Sequence, residues 1–123
     1  MKQVGYFFRL LTASFNCFPA VNLTAFVAGI RINSLVCETN RPMRLTQAEL
    51  EAHPAWRALG EDAAKHPPMR GWLAAPLIRV GGANLGLIQL SDKFEGDFTA
   101  DDEAILVQLA QVASAAVENA RLL

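Results

Sequence analysis

Apolar residues recur at positions 105, 106, 109, 112, 113, 116, 117 and 120, the three-and-four spacing of one helical face. The run begins cleanly. Thr99 is a good N-cap, Asp101, Asp102 and Glu103 fill the first turn where the helix dipole favours negative charge, and Thr99 with Asp102 has capping-box spacing. Alanines at 110, 113, 115, 116 and 120 keep the stripe thin, so it suits close packing on a sheet or on a second helix. The stripe reaches the last residues without a stop signal, as expected of a piece of a longer chain. Upstream, "WLAAPLIRV" predicts a strand from Trp72 to Val80, with Pro76 favouring an edge or a bulge. "GGAN" is the turn and "LGLIQLS" the return strand, in which Gly86 permits close approach by a neighbouring backbone.

The middle of the chain is punctuated more heavily. Residues 32–39 predict a short helix, closed by Asn40 as a left-handed cap and by Pro42. "PMRL" is a short extended piece. Thr46 and Glu49 form a second capping box, and another short helix opens at Pro54, carrying Trp56 and Leu59 before Gly60. Residues 43–71 thus read as an excursion outside the core, rich in Pro, Gly and charge. In the first thirty residues the polar contrast fades. Residues 4–16 suggest a helix stopped by Pro19, and the alternation of Val21, Leu23, Ala25 and Val27 suggests a strand. Leu10 to Ile30 carries no charge and is long enough for a membrane span. Thr12, Ser14, Asn16, Pro19, Asn22 and Thr24 make it too polar for one, and a buried helix and strand is the expectation.

Composition narrows the function. The chain has 123 residues, 52% hydrophobic and 19% charged, which is one domain with a real core. A net charge of −1 with scattered basic residues excludes nucleic acid and leaves no attraction to an anionic membrane. Cys17 and Cys37 match no metal or disulfide framework, so reduced thiols and a cytoplasmic location are expected. His53 and His66 each precede Pro and lack metal-ligand spacing.

The densest stretch is "SDKFEGDFTADDE", residues 91–103, with one Lys among six acids. A calcium loop is rejected, because Phe94 and Phe98 occupy inner positions and the Gly is one place early. Paired-carboxylate catalysis is rejected too: Asp101, Asp102 and Glu103 diverge from a helix start. What remains is a clasp. Lys93 at a strand end reaches Asp102 in the first helical turn, and Phe98 is buried beneath the joint.

From "RGWLAAPLIRVGGANLGLIQLSDKFEGDFTADDEAILVQLAQVASAAVENARL", preceded by "LVCETNRPMRLTQAELEAHPAWR", the chain resembles the GAF family of sensory domains, of the kind found in bacterial sensor histidine kinases and other signalling proteins. The order carries the likeness: middle helix, short strand and lid, then strand, Gly-bearing hairpin, strand, Phe-Thr-x-x-Asp and a helix ending near Asn-Ala. The resemblance implies an α+β fold, an antiparallel sheet with helices packed on one face, as in GAF and PAS domains. It spans residues 32–123, leaving 1–31 as an atypical segment too short for the family's usual helix and two strands. Some members that bind cyclic nucleotides carry Asn-Lys, then Phe, three residues and Asp-Glu; here Asp92-Lys93 and Phe98 to Glu103 follow that pattern, with Asp for Asn. The implied function is a non-enzymatic sensor in signal transduction, with any kinase activity belonging to a longer parent. It would take a small-molecule ligand, a cyclic nucleotide or another metabolite, with no cofactor specified. Arg44, Trp56, Arg70 and Trp72 are the candidate ligand residues, since aromatic walls and a cation suit a planar or anionic molecule. Homodimerisation through the carboxy-terminal helix is expected. Two alternatives stand beside this: a coupling domain with no ligand, and a cysteine-dependent free methionine sulfoxide reductase, for which neither thiol has an activating context.

Overall fold

A computed structural model describes residues 8–15, 27–57, 70–93 and 95–121. Four strands, β1 (Phe8–Phe15), β2 (Met43–Leu45), β3 (Trp72–Ile78) and β4 (Asn84–Lys93), form one antiparallel sheet in the order β1-β4-β3-β2. Helices α1 (Val27–Thr39), α2 (Gln47–Ala52), α3 (Pro54–Arg57) and α4 (Ala100–Arg121) complete the described architecture.

The sheet has an α+β arrangement, but helices cover both of its faces rather than one. Alternation along β3 separates the two. Leu73, Ala75 and Leu77 join Leu90, Phe98, Leu106 and Ala110 in a cluster beneath α4. Trp72 and Ala74 join Leu87 with Ile32, Val36 and Cys37 of α1 and Leu50 of α2, and Trp56 of α3 packs against them. Side chains of period two must point to opposite faces, so a strand apolar at every position needs two covers.

Local chemistry explains most elements. The β3–β4 turn closes through Gly81 and Gly82, at φ 100 and 102, values that side chains rarely adopt. Pro76 lies beyond Ala74, the last β3 residue paired with β2, so its missing N–H faces no strand on that side; a bulge follows between Leu77 and Ile78. Thr46 caps α2 and exchanges hydrogen bonds with Glu49. Those bonds, backbone first and then side chain, hold the Glu49 carboxyl below its ordinary value. Asn40 adopts φ 52 after α1, and its amide donates to the Gly82 carbonyl while its oxygen accepts from Asn84. The helix is thereby fixed to the hairpin.

Three expectations are corrected. Residues 8–15 are a strand paired with β4, not part of a helix, because a whole extended edge of β4 is available to them. Val27 to Ile30 are helical, not extended, and the rest of that expected strand, residues 20–26, lies outside the described residues. The segment from 43 onward does contribute to the core, since Leu50 is 1% exposed and Trp56 packs beside it. Leu59 and Gly60 lie outside the described residues. The expected boundary at residues 31 and 32 falls inside α1. The uncharged run from Leu10 begins in β1 and finishes in α1, and no described helix is long and apolar enough to cross a membrane.

Candidate functional site

The residues singled out from the sequence fall in two regions: the joint between β4 and α4, and the sheet face that carries the tryptophans. At the joint, Asp92 sits in the left-handed region at φ 59, a conformation that Asn and Asp tolerate best after Gly. The consecutive amides of Asp92 and Lys93 both donate to the 70–71 segment, which a regular alternating ladder cannot do. Alternation would place Lys93 with Leu87, on the face away from α4. The kink interrupts that alternation, and Lys93 reaches the start of α4 instead.

There its Nζ lies 2.6 Å from Asp102 Oδ2 and 2.9 Å from the Asp97 carbonyl, with the Phe98 ring centroid at 5.9 Å. The two charged side chains are 13% and 10% exposed. Asp102 Oδ2 also accepts the Thr99 amide at 2.8 Å, and the Asp102 amide donates to Thr99 Oγ1. Burial alone would raise the Asp102 carboxyl; the Lys93 hydrogen bond, the Thr99 amide and the Lys93 charge outweigh it and hold the group below its ordinary value. Phe98 lies buried under this joint.

The four candidate ligand residues divide between the two regions. Arg44 donates to the Phe98 carbonyl and pairs with Glu103 at 3.5 Å, so it braces the start of α4. Arg70 pairs with Asp92 at 3.5 Å and is largely exposed. Trp72 and Trp56 contribute to the cluster on the other face, and the Trp72 indole N–H donates to Gln89 Oε1 at 2.8 Å. The aromatic pair is brought together; the two cations are not brought to it.

Further along α4 are contacts that sequence reasoning missed. Ser114 Oγ accepts the Ile78 amide and donates to the Ala110 carbonyl, and Glu118 accepts the Val80 amide while pairing with Arg79. Ser114 and Glu118 are four apart, one helical turn, and both lie beside the bulged end of the hairpin. Their only sequence signal was a polar residue within an otherwise small, apolar stripe. No group of three or more His, Cys, Asp or Glu side chains suited to a metal gathers among the described residues.

Cys37 departs from its expected reduced state. It is disulfide-bonded.

An antiparallel sheet with the long α4 anchored along one face, and α1, α2 and α3 packed with Trp72 on the other, is an α+β domain. The chain belongs to the GAF domain family, whose pattern it matches over residues 11–118. Its fold is similar to that of the GAF domain from a phosphoenolpyruvate-protein phosphotransferase of Coxiella burnetii, with a TM-score of 0.58 and 29% identity. That match covers 74% of this chain and 51% of the other, so the chain spans about half the length of the domain it resembles. Membership places it among signalling and regulatory modules, a class that in general binds small molecules and is not catalytic.

Proposed function

We propose that this chain is a sensory module that takes a small planar molecule on the sheet face bearing Trp56 and Trp72 and passes the change to α4. The observation that supports this reading is the anchoring of α4. Lys93 with Asp102 and Arg44 with Glu103 hold its start, and Ser114 and Glu118 hold its second half to the hairpin. A helix fixed to the sheet at both ends moves as the sheet moves. Ligand affinity that differs between two sheet arrangements is then sufficient to reorient it. Arg44 and Arg70 enter this reading only where a ligand displaces Glu103 or Asp92 from them.

The outer side of α4 supports a second copy as the partner. Ile105, Leu109 and Val112 are 63%, 47% and 68% exposed and stand at helical spacing on one flank. In a longer parent, a kinase among the options, this flank would continue toward the output.

Calorimetry against cyclic nucleotides and a crude metabolite extract tests the sensor reading. Heat that is lost in Trp72→Ala supports it. Absence of heat, with a concentration-dependent dimer, replaces it by a coupling domain without ligand. Turnover of free methionine sulfoxide with a thiol reductant would replace both.

A further inference from the structure

The turn of the β3–β4 hairpin is held by helices from opposite faces of the sheet. From the α4 side, Ser114 Oγ accepts the Ile78 amide and Glu118 Oε1 accepts the Val80 amide, each at 3.0 Å, and Glu118 also pairs with Arg79 at 3.5 Å. From the α1 side, the Asn40 side-chain amide donates to the Gly82 carbonyl and its oxygen accepts from Asn84, each at 2.9 Å. The turn's own bonds join the two sets: the Arg79 amide donates to the Ala83 carbonyl, and the Gly82 amide to the Arg79 carbonyl. We propose that this turn couples the two helices, so that a displacement of α1 over the tryptophan face is delivered to the second half of α4. It is the route by which the sensor reading, on which this rests, would reach its output.

Both grips are built to carry direction. Apolar packing of α1 on Trp72, Ala74 and Leu87 tolerates a small slide, whereas a hydrogen bond weakens steeply as its angle opens. Asn40 directly follows the last residue of α1, so its side chain moves with the final turn of the helix. Ser114 donates its own proton to the Ala110 carbonyl at 2.6 Å and meets the Ile78 amide with a lone pair. Ser114 and Glu118 stand one helical turn apart and grip amides two residues apart, which resists both sliding and tilting. The start of α4 is held separately, by Lys93 and Arg44. A shift arriving at Ser114 and Glu118 therefore tilts α4 against a fixed start.

Coupling of this kind is reciprocal, so loosening either grip should loosen the element beyond the other. Amide hydrogen exchange of the ligand-free full chain, read residue by residue by NMR, tests it. Asn40→Gly removes both side-chain bonds and keeps the left-handed cap, which glycine favours. The Ile78 and Val80 amides, which Asn40 does not touch, should then exchange about threefold to tenfold faster, as should those of residues 114–118. The Lys93 and Asp102 amides at the other end of α4 should keep their rates. In the opposite direction, Glu118→Ala should speed exchange at residues 37–39 of α1 by a similar factor, and Glu118→Gln, which retains an acceptor for Val80, should not. A response to Asn40→Gly confined to α1 and residues 82–84 would overturn the proposal. So would a uniform rise that includes Lys93 and Asp102, or α1 loosened as much by Glu118→Gln as by Glu118→Ala. No ligand enters these measurements: failure to bind one would leave the coupling standing, and a purely local response would leave the tryptophan face as the candidate site.

Discussion

Asp102 Oδ2 accepts two donors at once, Lys93 Nζ and the Thr99 amide, and that sharing is what makes the joint stronger than an ordinary surface pair. Exposed ion pairs contribute little because water screens them and their side chains lose freedom. Here both partners are mostly enclosed, and removing one strands the other's charge. Lys93→Ala should therefore lower stability by about 2 kcal/mol in denaturant unfolding, whereas Asp101→Ala, exposed in the same turn, should change it by less than about 0.5. The sign of the pH dependence follows from the lowered Asp102 carboxyl. An unfolded chain binds that proton more readily than the folded one, so the stabilisation is complete above the ordinary carboxylate value and lost as pH falls through the folded value. The Lys93→Ala penalty should shrink as pH drops below about 4. A penalty that stays constant into acid would remove Asp102 as its cause.

At the level of elements, legibility followed polar contrast. The α4 start, the β3–β4 hairpin, the Thr46 capping box and Asn40 each rest on a residue type with one strong local use, and each stands in the structure where the spacing put it. The first thirty residues offer less polar contrast. There a helix and a strand give similar patterns, and pairing with β4 decides the matter at residues 8–15. The unbroken apolar run of β3 did hold the answer to how many faces are covered, since a half-exposed strand would have alternated. Other features had no signal at all. Gly71 adopts φ 79, and a Cβ there would meet the Leu45 carbonyl and the Phe98 ring, both at 3.3 Å. Nothing in the neighbouring residues announces this, because the approach comes from β2 and from the joint before α4. Gly71→Ala should cost about 1–3 kcal/mol through strain and crowding combined, read from the unfolding midpoint. A neutral result would mean that the 70–71 segment relaxes without disturbing Phe98. Of the candidate ligand residues, the two tryptophans share one cluster, while the arginines pair with carboxylates that only the folded chain brings near.

At the scale of the molecule, α4 presents two apolar stripes, and among the described residues only one is packed against a neighbour. Leu106, Ala110 and Ser114 are buried against the sheet, whereas Ile105, Leu109 and Val112 are exposed; at 100° per residue the two sets lie roughly a third of a turn apart. The eight-position stripe expected from sequence merged them, since periodicity reports a wide face and not its division between two neighbours. Each set answers to a different substitution. Leu106→Ala empties a fully enclosed site and should cost about 2–5 kcal/mol whatever the protein concentration. Leu109→Glu should leave the fold intact and act on self-association. Three side chains cannot supply the roughly 800 Å² per partner of a stable interface, so a dimer built on α4 alone should be weak and concentration-dependent. A buried unpaired carboxylate would weaken it further, by at least about tenfold in sedimentation equilibrium. Dilute samples, already monomeric, should melt alike with Leu or Glu at position 109. If Leu109→Glu sediments as the parent does, the outer flank of α4 is not where copies meet. If it unfolds the dilute monomer, the flank is part of the core after all.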